Sequence, residues 1–319
     1  VLESSRRKED RIKILLIGAA GQIGRELRHT LVPLGDVAAT DRSSLDLADE
    51  AAIRRTVRDT APELIVNAAA YTQVDPAEAE PDLAMAVNER APGILAREAE
   101  RAGAALIHYS TDYVFSGSLQ RPYHEDDPAD PINVYGATKL AGERAIAQSG
   151  VPHLILRTSW VFGPHGRNFF SAIIALARDR EELRVVNDQI GKPNWSMAVA
   201  EATAQILFSL SSRGRNMIEE IGKVSGIYHV CGEDHTSRYG FAEETLALYR
   251  RHAAQNQWPP LRVKRLIAVP TSEFPSPARR PLYSVLSGEK MVRTFGVTMP
   301  GWREQLALAI GEMPFAAPR

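Results

Sequence analysis

The segment IKILLIGAAGQIGRELRHTL, residues 12–31, restricts the fold more than any other part of the chain. An unbroken apolar run reads as a buried strand, a glycine turn follows, and an amphipathic helix opens directly from that turn. Gly18, Gly21 and Gly24 are spaced G-x-x-G-x-x-G. Glycines there allow a tight turn, close approach of backbone to a pyrophosphate, and close packing of helix on strand. The helix start offers free N–H groups and positive dipole density to phosphate. Gln22 and Ile23, inside the turn, are counted with the cofactor-binding residues. Asp41 stands 23 positions beyond Gly18, at the end of a second apolar run. The combination predicts a dinucleotide site. Asp41 would accept hydrogen bonds from the adenosine ribose, whereas Arg42 would attract a 2′-phosphate, which leaves NADH and NADPH both open. Asp46 and Leu47 would border the adenine, and Asp46 reads almost as well as a helix cap.

The first half of the chain alternates apolar runs with helical stretches. Residues 37–40, 63–69, 104–111 and 153–159 read as further strands, with helices between them, and 226–232 as one more. That alternation predicts an α/β fold, a doubly wound parallel sheet with a second, smaller α/β domain. The expected division is residues 11–160 plus 191–230 for the nucleotide-binding domain and 161–190 plus 231–319 for the second. Residues 1–10, charged and without an initiating methionine, read as a loose tail or cloning remnant. The chain has 319 residues, and its 38 Lys and Arg nearly balance its 39 Asp and Glu. A net charge of −1 gives no reason to expect nucleic acid or an anionic membrane as partner. No apolar run is long enough to span a bilayer. The single cysteine, Cys231, excludes an internal disulfide and suits a reducing, cytoplasmic setting. The eight histidines show no metal-ligand spacing, so no catalytic metal is expected.

Tyr135 and Lys139, in NVYGATKLAGERAI, fall four apart at a helix start and so share a face. A phenol with a pKa of about 10 holds its proton at neutral pH, and a neighbouring ammonium would lower that value and suit Tyr135 to general acid work. Thr111, in HYSTDYVFSG, lies where an open α/β sheet binds ligands, at a strand's C-terminal end. It would hold a carbonyl oxygen, beside Asp112 and Tyr113.

With these motifs the chain resembles the extended short-chain dehydrogenase/reductases, and among them the dTDP-4-dehydrorhamnose reductase family. The resemblance runs nearly end to end, through GAAGQIGREL, IVNAAAYTQVDPAEAEP, VNERAP, NVYGATKLAGE, LRTSWVFGPHGRNF, VVNDQIGKP and AVPTSEFPSPARRP. It implies a Rossmann domain, a sugar-nucleotide domain, and reduction of the 4-keto group of dTDP-4-dehydro-L-rhamnose to dTDP-L-rhamnose by NADPH or NADH. It further implies Thr111, Tyr135 and Lys139 as the catalytic set, with Tyr135 giving the proton and Lys139 also bonding the nicotinamide ribose. Asn67, Ala68 and Ala69 would run along the cofactor, and Asn88 would support the centre. Asp112, Tyr113, Trp160 and Asn168 would line the sugar, and Arg279 and Arg280 would hold the diphosphate. A homodimer is implied too. The chain departs from the family at Asn194, at Leu282 and Tyr283, and at Arg238, where a tryptophan is usual. These departures bear on the sugar. Two alternatives stand beside this reading: a reductase of another nucleotide-linked 4-keto-6-deoxy sugar, and a non-catalytic subunit like the regulatory subunit of methionine adenosyltransferase.

Overall fold

The computed structural model describes residues 11–214 and 216–313. The tail expected at residues 1–10 therefore lies outside the described residues.

In chain order the elements are β1 (Ile12–Ile17), α1 (Gln22–Thr30), β2 (Gly35–Thr40), α2 (Glu50–Thr60) and β3 (Leu64–Asn67). Then come α3 (Val74–Ala79), α4 (Pro81–Met85), a π-helical turn (Ala86–Arg90), α5 (Ala91–Ala102) and β4 (Ala105–Thr111). They are followed by α6 (Val134–Ala147), β5 (His153–Thr158), β6 (Val161–Phe162), α7 (Phe169–Asp179), β7 (Glu182–Val186), β8 (Ile190–Gly191) and β9 (Asn194–Trp195). The remainder comprises α8 (Ser196–Arg213), α9 (Met217–Lys223), β10 (Gly226–His229), β11 (Thr236–Ser237), α10 (Arg238–Asn256), β12 (Arg265–Val269), α11 (Glu289–Phe295) and α12 (Trp302–Gly311).

Six strands form one sheet in the order β10-β5-β4-β3-β1-β2, and every pairing in it is parallel. The doubly wound α/β reading holds. Strands β3, β4 and β5 are buried along their whole lengths, as expected where helices cover both faces. Separate apolar clusters fill the two sides: Leu16, Val66, Ile107 and Leu156 point to one, Leu15, Ile65, Leu106 and Ile155 to the other. Alternation of side chains along each strand produces this division. The order reverses at β1 and β3, so the ligand crevice of such a sheet falls beyond their C-terminal ends.

The helical stretch before β4 is not one regular helix. Pro92 has no N–H to give to an α-helical ladder, and the chain passes through the π-helical turn just before it. That turn carries Asn88, wholly buried, inward.

Beyond the sheet, β7 and β12 pair in parallel and β8 pairs antiparallel with β11. Strand β8 also bridges Tyr283, with the Ile190 N–H donating to the Leu282 carbonyl at 2.7 Å. Three segments distant in sequence therefore meet at β8. No helix among the described residues is long and apolar enough to cross a membrane.

Candidate active site

A cleft of about 1170 Å³ runs from the glycine turn, across the ends of β3, β4 and β5, to the segments gathered at β8. On its first wall Gly18 adopts φ +86°, a left-handed backbone, and a Cβ there would fall 2.7 Å from the Ala69 nitrogen. Only glycine fits that position. Helix α1 starts behind Gly21 without a capping side chain, so its first N–H groups are left for a ligand. Gly18, Gly21, Gln22 and Ile23 line the cleft, as do Asp41, Arg42, Asp46, Leu47, Ala68 and Ala69.

Gly24 does not line it. A Cβ there would meet the Gly18 carbonyl oxygen at 2.0 Å, so Gly24 serves the packing of helix on turn. Asn67 is likewise fully buried and behind the surface: its Oδ1 accepts from the Ala69 N–H at 3.1 Å, fixing the strand end that does face the cleft. Asp46 accepts from the Ala48 N–H, while the N-cap of α2 is Asp49. The Asp41 carboxylate is exposed and accepts from the Ser43 hydroxyl at 2.6 Å and the Ser43 N–H at 2.9 Å, which lower its pKa. These wall residues, with an open helix start and a cradle that a Cβ would fill, fit a dinucleotide.

The centre of the cleft is set by β4 and α6. Asn133 caps α6, accepting from the Gly136 N–H at 2.8 Å, and its Nδ2 donates to the Arg279 carbonyl at 2.8 Å. Helix α6 thereby brings Tyr135 and Lys139 under Thr111, and all three line the cleft. Thr111 Oγ1 donates to Asp112 Oδ1 at 3.1 Å and accepts from the Tyr113 N–H at 3.2 Å. Burial pushes Asp112 up to about 6, against the lowering pull of its hydroxyl partners. Tyr113 and Tyr135 meet edge to face with ring centroids 5.7 Å apart.

Lys139 corrects one expectation. Its ammonium does not lower the pKa of Tyr135: burial raises that pKa, and the Thr111 side chain, not Lys139, pulls it back. By exposed area Tyr135 is only half-buried, because one side of its ring borders the cleft; the close packing elsewhere around it sets the direction. Lys139 Nζ is instead 2.7 Å from the Tyr109 carbonyl and 3.0 Å from His108 Nε2. Burial lowers Lys139 to about 8 and holds His108 well below the usual histidine range. Asn67 Oδ1 accepts from the Ala69 N–H, and Asn67 Nδ2 lies 3.1 Å from His108 Nδ1, on the side of the ring away from Lys139.

Asn88 braces the centre from behind, accepting from the Tyr71 N–H at 2.8 Å and donating to Thr138 Oγ1 at 3.2 Å.

On the second wall Trp160 has φ +45°, an uncommon backbone for a non-glycine residue. Its ring lies so close to Gly191 that a Cβ there would come within 2.5 Å of it. Asn168 caps α7, and its Nδ2 donates to Gln22 Oε1 at 2.8 Å, tying this wall to the glycine turn. Arg279 is exposed and does not line the cleft. Arg280 does, but its Nη1 and Nη2 bond Asp75 at 3.1 and 2.7 Å, and Nη1 also meets Ser276 Oγ and the Ala278 carbonyl. Sequence reasoning missed Arg238, Gln189, Phe169 and Phe274, which also line this wall. For Arg238 a signal existed: it opens a long helix directly after the capping Ser237, where a cation opposes the helix dipole.

The RmlD substrate binding domain matches residues 12–314 of the chain. A dTDP-4-dehydrorhamnose reductase of Burkholderia thailandensis is 42% identical over 303 residues, 95% of this chain and 99% of that protein. Among solved structures, a dTDP-4-dehydrorhamnose reductase of Clostridium acetobutylicum superposes with TM-score 0.83 at 33% identity, covering 95% of this chain and 100% of that one. The enzyme of the same name from Bacillus anthracis, in complex with NADP, gives TM-score 0.81 at 33% identity over 95% of this chain and 99% of that one.

Proposed function

This chain belongs to the RmlD substrate binding domain family, and on that premise we propose that it reduces the 4-keto group of dTDP-4-dehydro-L-rhamnose, giving dTDP-L-rhamnose. The observation that carries the reading is the convergence of Thr111, Tyr135 and Lys139 in the cleft that begins at the glycine turn. Bound NADPH or NADH supplies the hydride. Gly18, Gly21 and the open start of α1 hold its pyrophosphate, and Ala68 and Ala69 run alongside. Thr111 orients the keto oxygen. Tyr135, kept protonated by burial, donates its proton to O4 as charge develops there. The resulting phenolate must regain a proton, and Lys139, lowered to about 8 and lining the same cleft, can supply it through an intervening hydroxyl, since its own Nζ is turned to the Tyr109 carbonyl and His108.

Asp41 is engaged by Ser43, and Arg42 faces the cleft beside it. This supports use of either cofactor. The division into a nucleotide-binding domain and a sugar-nucleotide domain, the homodimer and the cytoplasmic setting belong to the same proposal. Light scattering on the purified protein checks the dimer.

The testing experiment follows oxidation of NADPH and NADH in parallel with dTDP-4-dehydro-L-rhamnose. Deuteride from labelled cofactor should appear at C4 of the product. Cofactor binding without any turnover would instead favour a different keto sugar or a regulatory role.

A further inference from the structure

Arg238 is the first residue of α10, and its backbone is fixed by the cap from Ser237 and by donation of its own N–H to the Gln189 carbonyl at 3.2 Å. Its guanidinium carbon lies 3.6 Å from the centroid of the Trp160 ring and 5.2 Å from that of Phe169. The β8–β11 pairing sets Thr236 opposite Gly191, the residue against which Trp160 packs, so ring and guanidinium are held in one frame. The side chain is therefore preorganised and faces the cleft.

Three effects act against a cation in this place. Burial disfavours the charged form, and the positive charge of Arg280 acts in the same direction. The N-terminus of the 19-residue α10 adds positive dipole density. Asp112 and Tyr113 offset these only in part, for burial still dominates. Among the described residues Arg238 forms no ion pair with a carboxylate; its near partners are the Tyr113 hydroxyl and the two ring faces. Arg167 also lines the cleft with no carboxylate partner among the described residues, but it is exposed and lies next to Asn168, which is tied to the glycine turn. The other arginines of the cleft are engaged elsewhere. Arg280 is committed to Asp75, Ser276 and Ala278, Arg184 is paired with Glu273, and Arg42 adjoins Asp41 on the cofactor wall. A planar fork held over an aromatic ring, short of negative charge, suits an oxyanion that arrives with the ligand.

We propose that Arg238 is a specificity-determining contact that grips the diphosphate of the nucleotide-sugar substrate, the task that sequence reasoning gave to Arg279 and Arg280. This rests on the nucleotide-sugar reading above. With the sugar at Thr111 and Tyr135, the diphosphate would leave the centre past Tyr113, which Arg238 and Arg280 both approach.

The test titrates dTDP into the NADP⁺-saturated protein, wild type against Arg238→Gln, Arg238→Lys, Arg279→Gln and Arg280→Gln. The expected result is a loss of roughly 30-fold or more for Arg238→Gln, in line with removing a charge-assisted contact. Arg238→Lys should recover part of that loss, Arg279→Gln should change nothing, and NADP⁺ affinity should hold throughout. If Arg238→Gln does not fold, the lysine variant decides: its dTDP affinity must fall several-fold. Unchanged dTDP affinity with a raised KM for the keto sugar would place Arg238 on the pyranose and overturn the proposal. Unchanged values of both would reduce Arg238 to a stacking partner. Failure of the wild type itself to bind dTDP would sink the nucleotide-sugar reading instead, and inorganic pyrophosphate, titrated in the same way, would then report on Arg238 alone.

Discussion

On the cofactor wall, Gly18, Gly21 and Gln22 lie within one turn of chain and present backbone; on the substrate wall, Trp160, Gln189, Arg238 and Arg280 come from four distant segments and present side chains. The first wall is specified locally, by one strand, one turn and one helix start. The second exists only when β8 has gathered residues 189–191, 236–238 and 282–284. Local backbone recognition suits a cofactor whose pyrophosphate is always the same. A wall of side chains drawn from separate segments can be altered one residue at a time, and Asn194, Arg238 and Tyr283 all fall in its neighbourhood: the Asn194 N–H donates to the Trp160 carbonyl, Arg238 lies over the Trp160 ring and Tyr283 bridges Ile190.

Variants at the seam and on each wall would break or sharpen that contrast. Lys139→Met, at the seam, should lower kcat by about 10³-fold, within the range of lost acid–base participation, and steady-state NADPH oxidation measures it. Lys139 also sets a pH limit. Burial brings its pKa from 10.5 to about 8, so it holds its proton below that value and loses it above. Turnover should therefore decline as pH rises through about 8, while Tyr135, raised, stays protonated. A pH profile of kcat that stays flat to pH 10 would remove Lys139 from the proton path.

Gly18→Ala should act on the first wall alone. The forced left-handed backbone and the clash with Ala69 should weaken NADPH by about 2–3 kcal/mol, close to 100-fold, with dTDP binding unchanged. Fluorescence titration of NADPH reads the first and calorimetry the second. Trp160→Ala should show the reverse, a rise of about tenfold in KM for the keto sugar with NADPH affinity intact. Asp75→Ala should be the mildest. The pair with Arg280 is partly exposed, at 24% and 37%, so solvent screening leaves it about 0.5 kcal/mol of stability, visible only as a small shift in the thermal melt.

The same contrast explains what the sequence made legible. The glycine turn, Asp41, the sheet strands and the Tyr135–Lys139 pair are short-range patterns, and short-range patterns can be read in one dimension. Arg279 and Arg280 could not be told apart, because adjacency in sequence hides which side chain the backbone turns inward. Arg238 registered only as a departure, since its meaning depends on a strand pairing across some 45 residues. The direction of the Tyr135 shift was missed for a physical reason. Helix spacing places a lysine on the same face, but burial and the Tyr109 carbonyl decide where its ammonium goes. Asn67 and Gly24 were counted as cofactor contacts because they sit inside the right motifs; the fold sets both one layer behind the surface.

The central claim is that Tyr135 delivers the proton at a centre where both walls meet. Single-turnover hydride transfer from NADPH to dTDP-4-dehydro-L-rhamnose, wild type against Tyr135→Phe, tests it most directly. The account requires a fall of about 10²- to 10⁴-fold in the transfer rate with NADPH and dTDP affinities unchanged. A rate within a few-fold of wild type would contradict it and move proton delivery to another group in the cleft.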